Sequence, residues 1–314
     1  MNKWIILFLL SFFVIACSTP NTGGPQFTNI YTGSEGLKIE FAKEFPPDKI
    51  FEGSNMLLAL NLENAGAARI ENGKLALSLE QDYMRLVSWN RDTQKIKSTT
   101  NNGATFSLDG KTTNNPNPQI EILTADLKTH ILERQTETHT SNIVLTACYP
   151  YKTHFEENVC IDTDIFGLSP DEKNCEVKTK SHSSQGAPVA VVKRETKMIP
   201  SPDRKFAKPI FTINMKNVGR GEIIDTDAVQ RLCSSAPVNK EDFNQISVTA
   251  TLGGRTLSCK PKDFQLFKDK DFVICTLPQG LDVKLGSYVT PLVIDLEYGY
   301  TESISKKIEI RRIG

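Results

Sequence analysis

LALNLENAGAARI (Leu58–Ile70) and FTINMKNVGRGEI (Phe211–Ile223) align without a gap at a distance of 153 residues. Asn61 falls on Asn214, Asn64 on Asn217, Gly66 on Gly219 and Ile70 on Ile223. Apolar residues match at the alternate positions Leu58/Phe211, Leu60/Ile213 and Leu62/Met215. A period of two marks a strand with one buried face, and its recurrence marks two copies of one structural unit. The Asn-x-Gly that closes each copy reads as a turn, because both residue types tolerate left-handed backbone angles. These positions carry architecture and no chemistry.

The same period appears elsewhere. Strands are predicted at Leu37–Phe41, Lys74–Leu79, Ile143–Tyr149, Val189–Lys193, Ile246–Leu252 and Phe272–Leu277. Leu292–Tyr298 and Ile304–Ile310 also alternate, and the intervening Gly299-Tyr300-Thr301-Glu302 predicts a C-terminal hairpin. Gln119–Arg134 is open between helix, from Ile120, Leu123, Leu127 and Ile131, and strand, toward which Thr124 and Thr129 tip it. Asp225–Leu232 predicts a short helix capped by Asp225 or Thr226. Ser98–Gln119, with two Thr-Thr-Asn-Asn runs, reads as a loop or loose hairpin. Gly167–Pro188 gathers Pro, Gly and small polar residues and reads as a connector.

Short strands with so little helix predict an all-β chain of two tandem immunoglobulin-like β-sandwich domains after a lipoprotein signal peptide. The expected segments are a signal peptide (1–16), a lipidated flexible tether (17–33), domain 1 (34–166), the connector (167–187) and domain 2 (188–314), with each domain folding independently. Lys3 precedes an apolar run, Trp4–Ala16, that is shorter than the roughly 20 residues a bilayer-spanning helix needs. It ends Val14-Ile15-Ala16-Cys17, which resembles a prokaryotic lipobox, so Cys17 is the expected lipid attachment site on the outer face of the cell membrane. The following Ser-Thr-Pro-Asn-Thr-Gly-Gly-Pro has the composition of a flexible tether.

Six further cysteines, Cys148, Cys160, Cys175, Cys233, Cys259 and Cys275, suit three disulfides in an oxidising compartment. No CxxC pair is present, so zinc-ligand spacing is missing. Reading Lys152–Asn158 as a hairpin turn predicts the pair Cys148–Cys160. Cys259–Cys275 brackets a second such segment, and Cys175–Cys233 is left to fasten the connector to domain 2.

LNLENAG (Leu60–Gly66) and INMKNVG (Ile213–Gly219) resemble the strand-plus-turn signature of CARDB-type immunoglobulin-like modules in exported proteins. Ala147–Tyr151, Val159–Asp162 and Gly186–Val189 are similar to uncharacterised archaeal envelope proteins of this modular kind. The resemblance implies a structural or adhesive surface role and no active site. The Cys-Trp-Cys arrangement of antibody domains is missing around Trp89.

Thirty-seven basic and thirty-seven acidic residues cancel, which leaves no footprint for nucleic acid and no polybasic segment for anionic lipid. His130, His139, His154 and His182 form no HxxxH or HExxH pair, and no GxSxG elbow or GxxxxGK cradle occurs. Asp162 and Asp164 offer oxygens for calcium without the remaining ligands of a loop, so a solvated turn is the plainer reading. Tyr149/Tyr151 and Tyr298/Tyr300 are either core residues or aromatic pairs for a sugar or protein. The chain therefore reads as a noncatalytic surface lipoprotein, without cofactor or metal, that acts as a structural, adhesive or protein- or glycan-binding module. Its partners are the membrane, through the lipid, and an envelope protein or glycan. A lipid-anchored solute receptor and a secreted enzyme with an unfamiliar site are the alternatives.

Overall fold

The structure, a computed structural model, describes residues 29–90, 95–100, 103–167, 170, 172–234, 236–237, 239–266 and 272–313. The expected signal peptide and Cys17 lie outside the described residues. Among the described residues no helix is long and apolar enough to cross a membrane.

The first copy begins with β1 (Leu37–Phe41), β2 (Lys49–Phe51), β3 (Asn55–Asn64), β4 (Ile70–Ser78) and β5 (Met84–Asn90). It continues through β6 (Ile96–Thr100), β7 (Gly103–Leu108) and β8 (Gln119–Thr129) to β9 (Thr138–Asp162). The second copy opens with β10 (Lys180–Ser181), β11 (Val189–Pro200), β12 (Phe206–Asn217), β13 (Glu222–Ile224) and the short helix α1 (Val229–Leu232). Then come β14 (Gln245–Leu252), β15 (Arg255–Thr256), β16 (Ser258–Lys260), β17 (Asp263–Gln265), β18 (Phe272–Thr276), β19 (Leu281–Asp282) and β20 (Ser287–Arg311). Of the described residues 58 % are strand and 5 % helix, an all-β sandwich fold. Gln119–Thr129 is strand, since Leu123, Ala125 and Leu127 alternate inward. The short helix appears as a 3₁₀ turn, Thr226–Ala228, capped by the Asp225 carboxylate, running into α1.

Two outer sheets, β1-β3-β8-β5 and β10-β11-β12-β18-β16, cover one continuous sheet of order β15-β14-β20-β9-β4-β7-β6. In sequence order the quartet β1-β3-β8-β5 corresponds to β11-β12-β18-β16, so the repeat seen in thirteen residues extends to whole sheets. Leu58, Leu60 and Leu62 of β3 and Phe211, Ile213 and Met215 of β12 are fully buried at equivalent places.

β9 and β20 are each 25 residues long and pair antiparallel over their full length, from Thr138–Arg311 to Asp162–Ser287. A strand of that length spans about 80 Å at ~3.3 Å per residue, more than one sandwich needs. The first half of β9 pairs with β4 in the first sandwich. Its second half runs beneath β11, where Thr153 Oγ1 donates to Val189 O at 2.6 Å and Glu157 meets Arg194. β20 does the converse: its second half enters the first sandwich, buries Ile308 and Ile310, and takes β2 as a parallel neighbour. Each sandwich is thus completed by half a strand from the other copy.

Three expectations are corrected here. The C-terminal hairpin is absent, because Gly299–Glu302 lies midway along β20. Gly299 is required for another reason: a Cβ there would come within 2.7 Å of Ile224 and Val229. The pair Cys148–Cys160 is also absent, because both residues sit on β9, twelve positions and about 40 Å apart. Lys152–Asn158, read as a turn, continues the alternation, with Thr153 and Phe155 inward and Lys152, His154 and Glu156 on the other face. The bridges are Cys148–Cys233, Cys160–Cys175 and Cys259–Cys275, so the third matches expectation and Cys175–Cys233 does not form.

Cys148–Cys233 has a clear structural origin. β4 in the first copy corresponds to β13 plus β14 in the second, and residues 225–244 are inserted between those two strands. The insertion crosses the open face of the long sheet, where Ile224, Val229 and Cys233 pack on Cys148 in a small separate core. The bridge fastens this flap of the second copy to β9 of the first.

Candidate functional site

Two places concentrate side chains that sequence reading singled out. The first is the midpoint of the β9/β20 ribbon, where Gly299 pairs with Pro150, flanked by Tyr298–Tyr151 and Tyr300–Tyr149. The four rings close a cycle, with centroids 5.7 Å (149–151), 5.9 Å (149–300), 6.4 Å (151–298) and 6.4 Å (298–300) apart. All four tyrosines are buried, so the core reading holds and the sugar-stacking one does not.

Their hydroxyls bind the two copies in equivalent ways. Tyr149 OH accepts from Leu37 N at 3.1 Å, and Tyr298 OH accepts from Val189 N at 3.2 Å. Tyr151 OH donates to Asn64 Oδ1 at 3.3 Å, and Tyr300 OH donates to Asn217 Oδ1 at 3.1 Å. Each Asn also accepts from the Gly two residues on and donates to a carbonyl four residues on, Ala68 or Gly221. Neither Gly66 nor Gly219 has positive φ. Glycine is needed because a Cβ would overlap the Tyr151 or Tyr300 hydroxyl, which corrects the reading of these glycines as left-handed turn residues. Burial pushes the Tyr149, Tyr151 and Tyr298 hydroxyls well above the ordinary phenol range, and Tyr300 to about 12. They act as neutral hydrogen-bonding pins. Beside them Glu302 is raised to about 7, by burial first and then by Glu35, with Arg220 opposing.

The second place is a cleft of about 680 Å³ at the far tip of the second sandwich. Its floor is the meeting of the β9 end with the β20 start: Thr163 Oγ1 donates to Gly286 O at 3.0 Å, and Asn174 Nδ2 donates to Ser287 O at 3.0 Å. Cys160–Cys175 ties the flanking loop to β9. Phe166, half exposed, forms an apolar wall with the Arg204 guanidinium carbon 5.6 Å from its ring centroid, and Leu285 is likewise exposed. Lys173 Nζ lies 2.5 Å from Asp162 Oδ2, a hydrogen bond that raises the ammonium pKa. Asp162 also accepts from Asp164 N at 3.0 Å, the turn geometry expected of this pair. Among the described residues no cluster of three or more His, Cys, Asp or Glu is placed to hold a metal.

The histidines do not converge. His139 stacks on Tyr83 and meets Glu80, His154 meets Asp295, and His182 lies 3.3 Å from Glu157 in a buried group with Arg194. Sequence reading missed the cleft because Phe166 sits at a presumed domain end and its partners, Arg204 and Leu285, come from distant turns.

No family model matches the chain, and no curated protein matches it. Solved structures similar to it include the type I cohesin–dockerin complex of Clostridium thermocellum, at 10 % identity over 38 % of this chain and 83 % of that one, TM-score 0.27. A DUF4466 family protein from Parabacteroides merdae is 7 % identical over 84 % of this chain and 99 % of that one, TM-score 0.20. An Actinomyces fimbrial adhesin is 7 % identical over 67 % and 94 %, TM-score 0.20. Likenesses at these scores carry no argument, and the all-β reading rests on the strands described above. The CARDB resemblance has no family match behind it.

Proposed function

We propose that the protein is a noncatalytic surface lipoprotein whose second sandwich presents the Phe166/Arg204 cleft to an uncharged polar ligand, a glycan or a peptide loop of an envelope partner. The observation that carries this reading is the cleft's composition: an exposed aromatic wall with the Arg204 guanidinium over it, a backbone-rich floor, and an Asp162 carboxylate paired with Lys173. A volume of about 680 Å³ lies within the range of small-ligand sites. Loops held on a rigid sandwich are where binding surfaces usually reside, and here a disulfide fixes the loop.

The lipid anchor at Cys17 belongs to this proposal and rests on the Val-Ile-Ala-Cys text. The solute-receptor alternative is disfavoured by an architecture without α/β lobes. A glycan array and crosslinking in envelope extracts test the cleft: the wild type should give a defined ligand that Phe166→Ala and Arg204→Ala both lose. A ligand retained by both variants would place binding elsewhere.

A further inference from the structure

A net charge of zero conceals an asymmetry in space. On the outward face of β11-β12-β18-β16 the register sets Ile199 beside Lys208, Lys197 beside Ile210, Phe272 beside Asn214, and Lys260 beside Ile274. Their sequence neighbours Thr196, Phe211, Val273 and Cys275 are buried, which fixes this face as the outer one. Ile199 is 45 % exposed, and Phe206, Phe272 and Ile274 are each 40 % exposed. Large apolar side chains gathered on one face, rather than scattered singly, mark an interaction surface.

The charges around them are mostly cationic. Lys193 is held by Glu195, but Lys197, Lys208 and Lys260 form no ion pair with a described residue. Among the described residues of these strands, the acids on this face are Glu195 and Asp282, the latter beside Phe206. The equivalent face of the first copy is balanced, with Lys38, Arg85 and Lys128 against Glu40, Glu63 and Asp126. No polybasic run appears in the sequence because the lysines come from three strands.

We propose that this face docks on an anionic lipid bilayer, its isoleucines and phenylalanines at the headgroup boundary and its lysines at the phosphates. The proposal rests on the surface-lipoprotein reading. Charge complementarity disfavours a second copy, which would set lysines against lysines. Reach favours the bilayer: the described chain starts at Asn29, and Ile30 abuts Gly186 just before β11. The twelve residues from Cys17 to Asn29 extend to at most about 40 Å. A lipid on Cys17 therefore keeps the start of β11 within that distance of the membrane, near enough for the face to reach it.

The test uses the exported chain carrying Cys17→Ser, which has no acyl group, in sedimentation with phosphatidylglycerol-containing vesicles and with pure phosphatidylcholine vesicles. Binding should occur on the anionic vesicles at low salt, fall at high salt, and weaken roughly fivefold for each of Lys197, Lys208 and Lys260 changed to Gln. Ile274→Ser should weaken it as well, with circular dichroism confirming an intact fold. Phe166→Ala should leave it unchanged, which separates this face from the cleft, and mass spectrometry of Cys17 in the wild type judges the anchor separately. Absence of binding at low salt, equal binding to neutral vesicles, lysine variants that bind as the parent does, or a concentration-dependent dimer sealed by this face would each overturn the proposal.

Discussion

A fragment of residues 188–314 should not fold alone, although it contains one whole copy of the repeat. In the intact protein β9 supplies the second sandwich with Phe155, Val159 and Ile161, all buried. At about 1.5–3 kcal/mol for each fully buried large apolar side chain, their removal costs about 4–9 kcal/mol. Arg194, 4 % exposed, would also lose Glu157, and breaking a buried ion pair from one side costs about 3–5 kcal/mol. The total stability of a domain is only about 5–15 kcal/mol. The loss is therefore of the same size as everything the fragment has, and β20 would be left with its C-terminal half unpaired.

The assay is urea unfolding followed by far- and near-ultraviolet circular dichroism. The 188–314 fragment should show no cooperative transition, and mixing it with 34–166 should restore one through association. A cooperative transition of 188–314 alone, at a midpoint near that of the full chain, would refute the strand-exchange reasoning and return the two halves to independent domains.

Replacing Cys148 and Cys233 together by serine should lower stability by about 4–5 kcal/mol, from the chain entropy of an 85-residue loop, and calorimetry of the non-reduced protein measures it. Gly66→Ala would set a Cβ against the Tyr151 hydroxyl and 2.5 Å from Gly186 O, costing about 3 kcal/mol, whereas Ala65→Gly should cost less than 1 in the same denaturation series. Glu302 is raised from 4.5 to about 7 in the folded state, so its contribution is intact below pH 4.5 and is lost as pH rises toward 7. Glu302→Gln should therefore be more stable than the parent at pH 8, by roughly 2–3 kcal/mol, and equal to it at pH 4; a constant difference across pH would contradict the burial of that carboxylate.

How far the sequence reveals this molecule follows from what kind of signal each feature leaves. Leu58–Ile70 and Phe211–Ile223 are legible because a strand with one buried face has a local period, and because duplication repeats it. The ends of β9 and β20 were harder to read. Pro150, Gly299 and the polar run Lys152–Asn158 have turn composition, and only the uninterrupted inward phase of Tyr149, Tyr151, Thr153 and Phe155 reveals one strand. The bridge Cys160–Cys175 and the cleft it fixes were not legible, since they depend on which loops meet at the sandwich tip.

The tyrosine cycle shows why the two copies have stayed joined in this way. In a lone sandwich the Asn-x-Gly turn after β3 or β12 would need a pin from its own last strand, and Tyr151 and Tyr300 are those pins. Tyr149 and Tyr298, two residues away, hold the starts of β1 and β11. Because Tyr149 pairs with Tyr300 and Tyr151 with Tyr298, each pin is positioned by the ribbon partner from the other copy. A change at one turn is thereby felt at the other: the Asn64→Ala/Asn217→Ala double variant should lose less stability than the sum of the two single losses, since either alone already loosens the shared ring cluster. Additive losses in a double-mutant cycle would mean that the two turns are pinned independently, and that the ribbon serves only to lend strands.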